Sequence, residues 1–555
     1  MQYYVSRLCL VMIWVFLSTG CGSVSYRPRP FVQVQTTENR AAIRNEFLTW
    51  GISLDGRQVR TTRLANMRTR QATPIEGDDF VLEFADGRQL RCADFRLEKA
   101  YSRKTKNGAR SLVLDLARKD CRVRLVTTIR PDQWWATRHL EITGTSASLA
   151  AVTFSRWRCP NARGHSSEGK PVGALGLGNE RGQPVYANDL FFAVAHPGAE
   201  NFVTKDGFAC RIAAYDKVAP RQTVRTCEFV VGAGEAGAAR HAFLGYIDAT
   251  RPVPSRMLFL VNDWYWKDKS RPTDEFAAFA RVKQETGIPV DSFTLDAGWD
   301  PNWEEARDPW ARLDPKRFPG GWEALLAAGR PANVGVSLWF GPIGGYGQTR
   351  KQRVPFGREI GFESYADKLC LTGMRYRQYV IERFRQWATQ GMDYIKVDGF
   401  WPECTEATHG HPVGPGGQVA QMDALIAVFA AWREARPNLI IGYTSGSNPS
   451  PFWLQHCDFV WRGGRDDSHA GVGDPFDRNN TYLDTCLQLH RNTEMPMSAF
   501  VTFDIVQGRT KASSAKAFEC GVWWLAARTS LHHDWYVQAS DLTAEEWRLL
   551  ARAAL

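Results

Sequence analysis

Two patterns of apolar and polar positions divide the chain. From about residue 31 to residue 249 the apolar residues come in short alternating runs, broken by Gly, Pro, Asn and Asp. Phe80-Val81-Leu82-Glu83-Phe84 precedes an Asp86-Gly87 turn signal. Runs at 111–116 and 121–126 follow, separated by a polar link, and 139–143 and 151–154 continue the series. Period-two alternation turns one face of each run toward a core, so the series predicts antiparallel sheets packed face to face. The segment is long enough for a large β-sandwich and leaves its topology open. It holds no catalytic constellation. Asp189, Leu190, Phe191 and Phe192 read as core, or else as a loop reaching a pocket.

From Met257 the apolar runs become continuous and alternate with amphipathic helices. Strands are expected at 257–261, 292–296, 334–340, 394–398, 439–443, 459–461 and 498–504, with 522–526 as an eighth. Helices are expected at 273–286, with Thr273 as N-cap and Gly287 at the exit, then at 375–389 and 422–435. Buried strands alternating with helices over roughly 250 residues predict a (β/α)8 barrel. A doubly wound sheet is the alternative, but no glycine-rich phosphate loop follows the first strand. The fold class is thus multidomain β plus α/β: a β-sandwich over 37–250, then a (β/α)8 TIM barrel over 255–545.

The amino terminus adds a processing signal. Arg7 precedes the apolar run 8–17, which is too short to span a bilayer and meets Ser18-Thr19-Gly20-Cys21. This ending resembles a bacterial lipoprotein signal over 1–21, with Cys21 as the acylated residue and 22–36 as a tether. An ordinary cleaved signal peptide is the alternative. Either exports the protein to the periplasm or cell surface, and the lipid reading anchors it to a membrane. The net charge of +10 is spread along the 555 residues with no basic run, so no nucleic-acid partner is expected. Ten cysteines remain beyond Cys9 and Cys21, none in a Cys-x-x-Cys pair, so no metal or redox site is expected. The 21 tryptophans suit a sugar-binding pocket, whose ligands stack C–H faces on indole, although most will be core.

Candidate chemistry gathers at strand ends. Asp263 and Trp264, Asp296 and Trp299, Trp339, Lys396 and Asp398, and Trp461 onward all fall at the carboxyl ends of expected barrel strands, where barrel pockets form. Lys396 and Asp398 are two apart and point to the same side. Paired carboxylates among tryptophans point to glycoside hydrolysis, which needs one ionised carboxylate and one held protonated. Asp398 is the candidate nucleophile, with Lys396 expected to keep it ionised. Trp461-Arg462-Gly463-Gly464-Arg465-Asp466-Asp467 offers the acid, whose pKa must be raised by burial or a neighbouring carboxylate. Asp504 and His469 are further polar residues that reach substrate or are merely solvated.

These motifs, in this order and spacing, resemble the successive barrel motifs of the melibiase-type α-galactosidases: Asn262-Asp263-Trp264-Tyr265-Trp266, Leu295-Asp296-Ala297-Gly298-Trp299, Leu338-Trp339-Phe340, Tyr394-Ile395-Lys396-Val397-Asp398 and Trp461-Arg462-Gly463-Gly464-Arg465-Asp466. The resemblance covers roughly residues 31–541, and the strand-rich half resembles the amino-terminal supersandwich of the larger members. It implies a retaining exo-glycosidase without a metal or cofactor, acting on an oligosaccharide or glycan. Asp398 falls on the nucleophile and Asp466 on the acid/base, with Asp467 as its rival. Lys396, Arg462, Asp296 and Trp299 fall on sugar ligands, and Trp264, Trp339 and Asp467 are further substrate-binding candidates. The family's second aspartate after Asp296 is Ala297 here, whose methyl accepts no hydrogen bond, so strict galactose specificity is not implied. Larger members also carry a β-sheet domain where this chain ends, soon after an expected helix at 542–550.

Other readings stay open. A transglycosylase of raffinose-synthase type uses the same residues and differs in its acceptor. A surface glycan-binding protein on a disabled barrel is the contrasting class, motivated by Ala297. A purely structural surface lipoprotein leaves the strand-end carboxylates unexplained.

Overall fold

A computed structural model describes residues 31–144, 147–169, 181–219, 222–444, 450–461, 484, 486–506, 515–528 and 530–555. Cys21 and the leader lie outside them. Three antiparallel sheets build the first half. Strands Gln33–Thr36, Arg40–Arg44, Leu48–Ser53, Arg60–Asn66 and Gln71–Pro74 form a meander. A nine-stranded sheet centres on Arg110–Arg118, Cys121–Ile129 and Trp135–Gly144, and a seven-stranded sheet centres on Ala147–Arg158 and Gly207–Ala213. The expected strands are all present: four are longer than their apolar runs, and the run at 80–84 forms the strand Val81–Phe84. The Asp86-Gly87 signal turns the hairpin between Val81–Phe84 and Gln89–Arg91, with Gly87 at φ +86°.

Alternation decides which side chains face the shared core. Ile43, Trp50, Leu82, Leu112, Leu125, Leu140, Phe154 and Phe208, drawn from all three sheets, are buried together. The Trp50 ring meets Trp157 edge-on at 6.1 Å and Phe229 at 6.3 Å, joining the three sheets at one aromatic cluster. Leu190, Phe191 and Phe192 are fully buried in strand Leu190–Val194, as core. The buried Arg138 lies 4.0 Å over Trp50 and pairs with buried Asp79 at 2.6 Å.

Helix α1 (Ala239–Ala249) leads into the barrel. Its Phe243 packs 5.4 Å from Phe191 of the sandwich and 5.9 Å from Phe452 of the barrel, so the two halves share one interface. Polar ties cross the same interface: His196 to Asp423 at 3.0 Å, Tyr215 to Asp423 at 2.7 Å and His165 to Glu494 at 2.8 Å.

Eight parallel strands make the barrel: β1 (Leu258–Asn262), β2 (Ser292–Leu295), β3 (Gly335–Phe340), β4 (Met392–Asp398), β5 (Ile440–Thr444), β6 (Phe459–Trp461), β7 (Val501–Thr502) and β8 (His532–Trp535). Their hydrogen-bonded order is β6-β5-β4-β3-β2-β1-β8-β7, and a parallel bridge between Val460 and Phe500 closes the ring. Six strands fall where the hydrophobic runs place them. The seventh is shorter than expected, because residues 497–499 form a 3-10 turn. The expected eighth strand at 522–526 is wrong: it lies inside helix Ala515–Ala527, and His532–Trp535 takes its place. Four polar or ring-bearing residues (His532, His533, Asp534, Trp535) hide that strand from a search for aliphatic runs, although all four are buried.

The helix after β1 spans Pro272–Thr286, so Thr273 sits within the first turn and is not the N-cap. Proline opens this helix because its first turn needs no donor there. Gly287 ends it in the left-handed conformation, as expected. The helices Met374–Thr389 and Pro415–Ala435 match their apolar stripes, the second starting seven residues earlier than expected. Among the described residues no helix is long and apolar enough to cross a membrane.

Candidate active site

β4 supplies the central pair. Its side chains alternate, so Lys396 and Asp398 leave the strand in one direction. Asp398 is the last residue of the strand and is partly exposed. Gly399 follows at φ +71°, and a Cβ there would collide with the Tyr346 phenol. Glycine at this position lets the chain turn away while Tyr346 closes over the carboxylate.

Among the described residues, three donors converge on Asp398. The Trp339 indole N–H, from the end of β3, donates to Oδ2 at 3.1 Å. The Tyr346 hydroxyl, from the loop after β3, donates to Oδ1 at 3.0 Å. The Thr444 hydroxyl, at the end of β5, meets Oδ1 at 2.5 Å. Together they fix the plane of the carboxylate. Burial pushes its pKa above the ordinary value of 3.8, and the Lys396 ammonium pulls it back only in part. Lys396 therefore acts in the expected direction but is outweighed.

Beneath Asp398 lies a buried charged layer. Lys396 Nζ bonds Asp296 Oδ2 at 2.8 Å and the Tyr536 hydroxyl at 3.2 Å. Asp296 accepts further bonds from Asn262 at 3.0 Å and from the Ala297 N–H at 2.8 Å. Asp263 holds this layer in place: it accepts the Asp296 N–H at 2.8 Å and pairs with Arg317 at 3.2 Å. Burial opposes ionisation of Asp296, yet the Lys396 ammonium wins and its pKa is lowered. Burial also opposes the charge on Lys396, but Asp296, Asp534 and Asp398 outweigh it and its pKa rises.

Asp534, at the end of β8, is the third carboxylate of the layer. Its Oδ2 accepts the Tyr536 hydroxyl at 3.1 Å and the Asn262 amide at 3.3 Å. Burial pushes its pKa up to about 6, against partial relief from Lys396. The folded protein thus binds this proton more tightly than the unfolded chain, and stability falls as pH rises from about 4 to about 6. Asp534→Asn removes the buried charge and keeps an acceptor for the same donors. It is expected to stabilise the fold at pH 7 by up to about 3 kcal/mol, from a rise of 3.8 to about 6. Denaturant melts of both proteins should show that gain vanish by pH 4; an equal difference at both pH values sinks the assignment.

The structure brings Asp296, Trp339, Lys396 and Asp398 together. Trp264 stands at the rim, 41% exposed, with Lys269 Nζ 5.2 Å from its ring. Trp299 is fully buried, donates to the Trp339 carbonyl at 2.8 Å and packs edge-on against Trp387, so it backs Trp339 in the barrel wall. Asp504 is likewise buried in the wall, held by His533 at 2.5 Å and Trp535 at 3.2 Å. Arg462, Asp466, Asp467 and His469 lie outside the described residues. The sequence reading missed Tyr346, Thr444, Asn262, Asp534 and Tyr536. One signal was present: the tripeptide Asp263-Trp264-Tyr265 after β1 recurs as Asp534-Trp535-Tyr536 at β8.

The sequence matches no family model and no curated protein. Among solved structures, the chain is similar to the GH36 α-galactosidase AgaB from Geobacillus stearothermophilus, at TM-score 0.65 and 13% identity over 94% of this chain and 85% of that one. AgaA from the same organism, solved with 1-deoxygalactonojirimycin, gives TM-score 0.63 and 13% identity over 93% and 85%. The α-galactosidase from Lactobacillus brevis gives 0.58 and 12% over 94% and 82%. The fold, sandwich and barrel together, is the one these α-galactosidases share.

Proposed function

We propose that the protein is a retaining exo-α-glycosidase of α-galactosidase type. The observation that carries this reading is Asp398: a carboxylate at the end of β4, oriented by Trp339, Tyr346 and Thr444, in the fold those α-galactosidases share. In the first step Asp398 attacks the anomeric carbon and the glycosidic C–O bond breaks, while an acid protonates the departing oxygen. In the second, water attacks the anomeric carbon and gives its proton to the residue that served as the acid, while Asp398 departs as a carboxylate, so two inversions retain the α configuration. The resemblance assigns the acid to Asp466, with Asp467 as its rival. The neighbours' ligands support an oligosaccharide substrate: variants of AgaA were solved with raffinose and with stachyose. Transfer to a sugar acceptor in place of water follows the same first step. The leader, whose ending resembles a lipoprotein signal, supports export and anchoring through Cys21, with an ordinary cleaved signal peptide as the alternative.

Sugar choice departs from galactose at one point. Asp296 is followed by Ala297, half-buried against the core, where a second acceptor is absent. Losing one buried hydrogen bond to a hydroxyl costs about 1–3 kcal/mol, enough to relax discrimination at that position. Assay of aryl α-galactoside, α-N-acetylgalactosaminide, α-glucoside and arabinoside tests the proposal. Cleavage of at least one supports it. Failure on all four by folded protein that still binds sugar favours the binding-protein reading.

Tyr346→Phe tests the orientation of the nucleophile. Removing a hydrogen bond to a charged group costs about 1.5–3 kcal/mol, so kcat/KM should fall roughly 10- to 100-fold. The acid limb of its pH profile should also move up, because the bond favours the ionised carboxylate. An unchanged limb would show that Tyr346 does not act through Asp398.

A further inference from the structure

Away from the charged layer, two loops of the barrel bring four metal-binding side chains to one point. Cys370 follows the small ribbon of Ser364–Tyr365 and Lys368–Leu369, within the long excursion after β3. Cys404, His409 and His411 lie on the segment that leaves β4 just after Asp398. Their ligand atoms all lie within 4.8 Å of one another. Cys370 Sγ is 3.7 Å from His411 Nε2, and Cys404 Sγ is 3.4 Å from His409 Nδ1. Tetrahedral zinc with Zn–S near 2.3 Å and Zn–N near 2.0 Å sets such edges at roughly 3.3–3.8 Å.

We propose that Cys370, Cys404, His409 and His411 form a structural zinc site that pins the loop after β4 to the excursion after β3. Two thiolates and two imidazoles fill all four tetrahedral positions, which is the donor set and closure of a structural site. The surroundings aim the donors inward. His411 Nδ1 lies 2.7 Å from the Pro412 carbonyl, which fixes the proton on Nδ1 and leaves Nε2 to bind. Gly410, at φ +86° between the two histidines, turns the chain so that both rings reach one centre. The Cys404 N–H is held by Gln421 at 3.1 Å, and the Cys370 sulfur lies 2.8 Å from the Thr372 hydroxyl. Cys370, Cys404 and Tyr365 form a small buried cluster of their own, so the thiols sit apart from bulk solvent.

The position links this site to Asp398. The pinned segment carries Trp401, whose ring packs edge-on 5.8 Å from Tyr346, the residue that bonds the carboxylate. Metal binding therefore orders the wall beside Asp398 without touching it. The missing Cys-x-x-Cys pair hid the site, because one thiol comes from a different loop, 34 positions earlier in the chain.

The test uses full-length protein purified under reducing, oxygen-free conditions. Zinc measured by inductively coupled plasma mass spectrometry should be about one per chain and should fall below about 0.1 in Cys370→Ser and His411→Ala. Cys227→Ser, in the sandwich, should keep it. Should the variants fold poorly, wild-type protein stripped by chelator and reloaded with cobalt should show the intense visible bands of tetrahedral thiolate coordination. Stripping should also lower the thermal midpoint, and added zinc should restore it. Three results overturn the proposal: no zinc or cobalt bound after reduction and loading, zinc retained in both variants, or a Cys370–Cys404 disulfide without metal in protein isolated from its own compartment.

Discussion

Asp398→Ala is expected to abolish cleavage of every α-glycoside that the wild type accepts, by on the order of 10⁴-fold or more, while leaving the fold intact. The nucleophile splits one difficult displacement into two easier ones, and nothing else described at the strand ends stands ready to replace it. Lys396 and Asp296 are committed to each other at 2.8 Å, and Asp534 is buried beside them. Azide should restore turnover in this variant, because the alanine leaves room for a small anion on the same face. The azide attacks once and without a second displacement, so the product should be the β-glycosyl azide. That stereochemistry decides the mechanism: an α-product from rescue, or no rescue with activity retained, would remove Asp398 from the role. The wild type should show an acid limb above the ordinary carboxylate range, since burial holds the Asp398 pKa up and the reaction needs its ionised form.

The barrel was legible because six of its strands are aliphatic runs with polar ends, and that same contrast marked Asp296, Lys396 and Asp398. β8 was illegible because its burial is polar: His532, His533 and Asp534 are all buried, and no periodicity of apolar residues signals them. Tyr346 and Thr444 were missed for another reason. Their contact with Asp398 is made across loops and neighbouring strands, a relation that spacing along the chain does not encode. Trp299 shows the converse error of emphasis. A tryptophan at a strand end reads as a sugar platform, yet here it fills the wall behind Trp339. The four metal-binding residues follow the same rule as Tyr346, since two loops must fold before they meet.

Lys396→Met should be among the most destabilising substitutions in the barrel, and its cost should depend on pH. Lys396 is 6% exposed and sits between Asp296 and Asp534, each 3% exposed or less. Removing one partner of a buried ion pair strands the other charge and costs about 3–5 kcal/mol. Methionine replaces the stem's packing, so the loss reports the charge rather than a cavity. With the ammonium gone, both carboxylates must be protonated or stay buried as anions. Protonation is easy at pH 5 and opposed at pH 8, so the variant should approach wild-type stability at low pH and lose most at high pH. The double variant Lys396→Met/Asp296→Asn removes both members of the 2.8 Å pair and should recover much of the loss at pH 8. Denaturant melts of the four proteins of this cycle at both pH values give the coupling directly. A loss that is the same at pH 5 and pH 8, with no recovery in the double variant, would mean that the lysine stem and not its charge holds the layer together. Activity separates the two roles of the residue: the double variant should stay impaired even where its stability returns, because the ammonium charge that favours the ionised form of Asp398 is still missing.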